Sequence, residues 1–228
     1  ANIQVLTGVT WGTAGAATQS GDLAILVWTF QNTLTPTDPT SETWTLVATA
    51  DDPSCRSRIL KRVCDGTESG DITGWQCSAI NRQTAVLYVV RGFSDVAGAV
   101  SFAETTAGTT HDCPQSTTAS GAATGDAIIV AVSERLTSGT TNATAPTTPV
   151  TFTEHTGSEF GTGGTGGSYT GVADDGLTTS QTMPFNPGAW TGHVSGGVAV
   201  TWTLALRPDS GGAPDRIPPL ISQYSGVF

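Results

Sequence analysis

Lysine occurs once in these 228 residues, at Lys61, and nine basic side chains stand against 19 acidic ones, for a formal net charge of −10. A surface this acidic repels phosphate backbones and anionic lipid, so neither nucleic acid nor a membrane is an expected partner. No apolar run is long enough to span a bilayer. The start, Ala1-Asn2-Ile3-Gln4, lacks the basic and apolar regions of a secretory leader, so a soluble protein made in the cytoplasm is expected. Charged residues amount to only 12%, and every window of helical period is interrupted by a breaker or a β-branched residue, which excludes a helical protein. None of the four cysteines (Cys55, Cys64, Cys77, Cys113) has the Cys-x-x-Cys spacing of zinc and redox sites. They allow three disulfide pairings, and a staple in the first half and free buried thiols both stay open. No Gly-x-Ser-x-Gly elbow is present. The glycine-rich run Gly161 to Gly167 lacks the Lys-Ser/Thr and the helix of a phosphate loop, and reads as a loop between strands. No active site and no cofactor emerge from this survey.

What the chain does have is an order of signals given twice. Gly21-Asp22 opens the apolar run Leu23 to Trp28, a Pro/Thr-rich region with Pro36 and Pro39 follows, then Trp44 to Val47, then Ala85 to Val90 closing on Arg91-Gly92. Gly125-Asp126 opens Ala127 to Val132, a second such region holds Pro146 and Pro149, then Val150 to Glu154, and Val198 to Leu206 closes on Arg207-Pro208. The spacing drifts from 104 residues between the Gly-Asp pairs to 116 between the closing arginines, as insertions in surface loops produce. Thr, Val and aromatic residues suit a pleated surface. Strands are expected near 3–10, 22–30, 43–50, 56–64, 73–80, 84–91, 98–104, 125–133, 150–156, 168–174 and 197–207, with the two uniformly apolar Gly-Asp strands near the middle of the sheets. The expected fold is all-β, a jelly-roll-like sandwich over 1–208 built from halves of about 1–104 and 125–208, with 105–124 as the crossover. Residues 209–228 form an extended arm in which three glycines and three prolines argue against regular structure, while Ile217, Leu220, Ile221, Tyr224 and Phe228 supply apolar groups. Such an arm packs on its own domain or on a neighbour.

This order resembles a β-sandwich family of structural proteins in tailed bacteriophages. The elements that carry the likeness are Gly21-Asp22, Trp44-Thr45-Leu46-Val47, Tyr88 through Arg91-Gly92, and Ala205-Leu206-Arg207-Pro208, over about residues 20–208. Where that family has a Pro-x-Gly-Trp turn, this chain has Ser41-Glu42-Thr43 before Trp44 and Pro149-Val150-Thr151 before Phe152. The resemblance implies a structural role in the virion, as a head decoration, fibre or minor tail protein, and brings no catalytic residues with it.

Several side-chain groups are candidates for more. His111, His155 and His193 are far apart in sequence, at no ligand spacing, and are expected as exposed loop histidines. Asp51-Asp52 and Asp174-Asp175 could hold Ca2+ or act as acid and base on a glycoside, but the preferred reading is turn chemistry. Arg56, Arg58 and Arg62 share one face of a strand, with Lys61 on the other, and are expected to dock an acidic neighbour. Of the six tryptophans, Trp28, Trp44 and Trp202 read as core; Trp190, among Pro187, Gly188 and Gly192, is the exposed candidate for stacking on a sugar. The sequon at Asn142 carries weight only in a secreted chain. Taken together, the expected function is that of a non-enzymatic capsid decoration protein, homo-oligomeric or bound to other virion proteins through the arginine face and the C-terminal arm. A minor tail or fibre-base component is the alternative. A carbohydrate-binding module using Trp190, Asp174 and Asp175 is the rival from another class, and a glycoside-cleaving enzyme comes last.

Overall fold

In the computed structural model, the described residues are 4–5, 11, 18–31, 36–52, 54–77, 83–104, 106–136, 143–160, 167–193, 197–210 and 220–225. They form fourteen strands and one 3-10 turn at Thr118–Ser120. The strands are β1 Gln4–Val5, β2 Ser20–Gln31, β3 Thr45–Asp51, β4 Cys55–Asp65, β5 Gln76–Cys77, β6 Gln83–Val90 and β7 Phe93–Ala103. They continue with β8 His111–Asp112, β9 Ala127–Leu136, β10 Thr153–Phe160, β11 Gly167–Asp174, β12 Ala189–Trp190, β13 Val198–Pro208 and β14 Leu220–Ser225. Two five-stranded antiparallel sheets, β14-β6-β2-β4-β3 and β10-β11-β9-β13-β7, pack face to face, and two short ribbons, β1-β5 and β8-β12, accompany them. The all-β sandwich expected from the sequence is the fold observed. Among the strands of the large sheets the chain changes sheet only twice: β7 follows β6 but pairs with β13, and β14 follows β13 but pairs with β6.

Both Gly-Asp pairs make the same local structure. Gly21 and Gly125 have φ of +95° and +97°, a left-handed conformation that side chains resist. The following aspartate then turns back on the chain: the Asp22 carboxylate accepts the Gln19 N–H at 2.7 Å, and Asp126 accepts that of Ala123 at 2.8 Å. Each carboxylate also takes a two-pronged arginine, Arg91 on Asp22 (2.6 and 2.8 Å) and Arg207 on Asp126 (2.6 and 3.1 Å). This charge-assisted fork fixes the start of a central strand to the end of its neighbour.

Period-2 alternation explains why β2 and β9 are apolar throughout. Leu23, Ile25 and Val27 of β2 face Ile129 and Ala131 of β9, with Trp202, Leu204 and Leu206, in the core between the sheets. The intervening Ala24, Leu26, Trp28 and Phe30 face outward beneath Trp11, Ile72 and Trp75. On the other sheet, Ile128, Val130 and Val132 face outward beneath Phe152, Phe185 and Trp190. Trp44 is half-buried and stacks on Trp11 at 5.9 Å, completing the first outer cover.

One part of the core between the sheets is polar. Ser133 binds the hydroxyls of Thr29 and Ser57, each at 2.7 Å; Thr170 binds those of Thr29 (2.5 Å) and Thr84 (2.7 Å); and Trp202 donates its indole N–H to Ser57 at 2.8 Å. All are buried, and every bond joins one sheet to the other. Cys55, which donates to the Ser133 carbonyl, is buried and free, as are Cys64 and Cys113, so no disulfide joins these three. Burial pushes each of these thiols up, Cys64 to about 12, which makes them inert.

Residues 220–225 correct the expectation that the C-terminal arm lacks regular structure. The prolines stop at Pro219, and from Leu220 the backbone is free to donate and pairs with β6.

Ser133→Ala is expected to cost about 1–3 kcal/mol in urea unfolding, because two buried hydroxyls lose their shared partner. Thr29→Val should then cost less in the Ser133→Ala background than alone; equal costs would show that the network is not coupled. A thiol reagent is expected to modify at most one cysteine per native chain, and all four after unfolding.

Candidate functional site

Glu134 stands in the outward row of β9, two residues after Val132 and two before Leu136, and this alternation places its carboxylate on a covered, apolar face. The cover is the β8–β12 ribbon, in which His111 lies opposite Trp190. Thr201 and Thr203, on the outward row of β13, hold the end of β8 and the segment after it by donating to the carbonyls of Asp112 and Pro114, both at 2.6 Å. His193 follows β12 by three residues. Helped by the backbone bridge Thr144–Thr191, it descends onto the same carboxylate.

The result is a compact buried cluster. His111, Glu134 and His193 are 0%, 0% and 2% exposed. His193 Nδ1 lies 2.5 Å from Glu134 Oε2, and His111 Nε2 lies 3.5 Å from Glu134 Oε1 without a hydrogen bond. The imidazole rings meet edge to face at 4.4 Å. Glu104, just beyond β7, bonds His111 Nδ1 from the solvent side, and its other oxygen accepts the Asp112 N–H at 3.2 Å. Gly197 closes the floor: a Cβ there would come within 2.5 Å of Glu134 Oε1 and 2.2 Å of the Arg135 carbonyl. Burial alone would push His111 down, but contacts with Glu134 and Glu104 hold it above its ordinary value. Burial likewise works to raise Glu134, and its contacts with the two histidines hold it below. Two imidazoles and a carboxylate converging in this way form a donor set suited to a transition metal.

This cluster overturns the expectation of exposed loop histidines for His111 and His193, because a ribbon of two-residue strands folds both onto the sheet. His155 lies in β10, and its side chain is outside the described residues. Glu134 and Glu104 were not anticipated; the signal for Glu134 was a carboxylate in the apolar row Ile128, Val130, Val132, Leu136.

Trp190 is not a sugar platform. It is 0% exposed and packed under the ribbon, whereas a stacking ring must reach solvent. Asp174 and Asp175 serve a turn, as the preferred reading has it: Asp174 is buried, accepts the Tyr88 hydroxyl and the Gly176 N–H, and Asp175 accepts from Thr178 and Gln181. Asp52 does the same for the Ser54 N–H.

Arg56, Arg58 and Arg62 do share the outer face of β4, but each has an acid of its own chain. These are Asp51 at 2.6 Å, Asp38 at 2.6 Å, and Glu68 at 2.6 Å with Asp65 at 3.3 Å; Lys61 pairs with Asp95. Little free positive charge is left there for a neighbour. In the arm, Leu220, Ile221 and Tyr224 belong to β14 and so to the chain's own sheet, while Ile217 and Phe228 lie outside the described residues. So do residues 161–166 of the glycine-rich run, and Asn142. An open cleft of about 530 Å3, lined by Pro149, Val150, Gln181, Pro184, Phe185 and Asn186 among others, carries no charged group.

Burial pushes the Asp175 carboxyl up to about 6, with Asp174 adding to the rise and the bonds from Gln181 and Thr178 opposing it. The folded protein therefore binds this proton more tightly than the unfolded chain, whose group keeps the ordinary value of 3.8, and stability falls as pH rises through this window. Asp175→Asn is expected to stabilise by about 1–2 kcal/mol at pH 7 and by much less at pH 4, measured by chemical unfolding. An equal effect at both values would mean that folding does not raise the Asp175 carboxyl.

Comparison with protein-family models, with curated proteins and with solved structures found no match to this chain.

Proposed function

We propose that this chain is a non-enzymatic structural protein of a tailed-bacteriophage particle, in the first place a capsid decoration protein. The observation that supports this most is the use made of the residues that carry the family resemblance. Gly21-Asp22 with Arg91, and Gly125-Asp126 with Arg207, join as matching ion-pair clamps at matching places in the two sheets. Motif residues spent in this way hold a scaffold together and perform no chemistry. Buried hydroxyls are spent similarly, in bonds between the sheets. Among the described residues no helix is long and apolar enough to cross a membrane. The partners under this reading are other virion proteins or further copies of the chain. The arginine face is a weaker docking surface than its sequence suggests, because its charges are paired internally.

Labelling of purified particles with an antibody to this chain, read by electron microscopy, tests the proposal. Dense label over the head is expected. Label confined to the tail moves the assignment to a tail or fibre-base component, and particles without label overturn the virion reading.

A further inference from the structure

We propose that His111, Glu134 and His193 bind one divalent transition-metal ion, zinc in the first place, which pins the β8–β12 ribbon to the outer face of β9. The inference is independent of the virion reading.

The donor atoms of the three side chains lie within 4.8 Å of one another. Four-coordinate zinc with bonds of about 2.0–2.2 Å holds its ligands about 3.3–3.6 Å apart. The 3.5 Å between His111 Nε2 and Glu134 Oε1 is such a separation. His193 Nδ1, at 2.5 Å from Glu134 Oε2, needs to open by about 1 Å to admit the ion.

A second observation makes this more than a cluster. His111 Nε2 and Glu134 Oε1 are wholly buried, face each other, and have no hydrogen-bond partner among the described residues. The Glu104 carboxylate takes the proton on His111 Nδ1, so the Nε2 lone pair points at the Glu134 oxygen. In the neutral imidazole these two lone pairs repel, so a proton or a metal ion must lie between them, and the buried pocket offers the metal ion three converging ligands. A carboxylate behind a histidine that faces a metal is the usual outer-shell arrangement of zinc sites. The charge also suits a dication: two carboxylates with two neutral imidazoles carry −2, which one ion cancels. The donor set selects the metal, since Ca2+ and Mg2+ take oxygen ligands, whereas two imidazoles and one carboxylate suit zinc. Gly197 keeps the space open, because any side chain there would push Glu134 aside.

The test uses the untagged full chain after chelator treatment, titrated with ZnCl2. Elemental analysis after gel filtration should give one zinc per chain, and the thermal midpoint should rise with zinc concentration. Glu104→Gln should weaken binding about 10- to 100-fold, as loss of an orienting carboxylate does. His111→Gln and Glu134→Gln should weaken it at least as much. Co2+ in the wild-type chain provides a readout that needs no variant. Tetrahedral visible absorption without a thiolate charge-transfer band is expected, which separates this site from the cysteines. No stoichiometric zinc, an octahedral or thiolate cobalt spectrum, or binding that survives His111→Gln with His193→Gln would each overturn the proposal.

Discussion

Two central strands, β2 and β9, are buried on both faces, and each therefore needs two covers. The inner cover is mutual, since each sheet faces the other. The outer covers cannot come from a further sheet, so they come from connecting segments: the Trp11, Ile72 and Trp75 regions over β2, and the β8–β12 ribbon with Phe152 and Phe185 over β9. Burying an aliphatic or aromatic side chain contributes about 1.5–3 kcal/mol. An apolar row of four or five such residues on each outer face is thus enough to hold loops that make few backbone bonds of their own.

The two sheets are tied together in three chemically distinct ways. Hydrocarbon packing fills most of the space between them, and hydroxyl bonds among Thr29, Ser57, Thr84, Ser133 and Thr170 cross it. The third tie is covalent continuity: β7 and β14 each leave the sheet that precedes them and finish the other. An edge strand supplied in this way saturates the backbone of β13 or β6, which would otherwise template pairing with another chain. The sandwich reaches this closure without a disulfide among Cys55, Cys64 and Cys113.

Local pattern made the strands legible, and long-range contact hid the site. Alternation in Trp202, Leu204 and Leu206 correctly marks an inward face, and the Gly-Asp pairs correctly mark the starts of doubly buried strands. The shared face of Arg56, Arg58 and Arg62 is real as well. What sequence could not supply is that their partners come from elsewhere, Asp38 and Glu68 among them. Trp190 sits among Pro187, Gly188 and Gly192, a setting that suggests exposure, yet it is buried because a two-residue strand turns it under. His111 and His193 belong to elements too short to show any period, so nothing in their neighbourhood announces that they meet.

The outer rows of β2 and β9 can be compared directly, and the comparison bears on the histidine cluster. On β2 the row Ala24, Leu26, Trp28, Phe30 is covered largely by hydrocarbon and indole; Trp28 donates to Gln83, and Arg62 lies over Trp11 with its charge paired to Glu68. That face shows that loops can be fastened to a sheet of this fold without histidines converging on a carboxylate. On β9 the same kind of row admits Glu134, and the cover brings two histidines onto it. Buried ion pairs generally gain little over apolar packing of similar volume, since desolvation offsets the attraction. The architecture alone therefore does not call for Glu134, His111 and His193. The proposed cation would supply a reason for them, because it would turn three costly buried groups into ligands that attach the ribbon to β9.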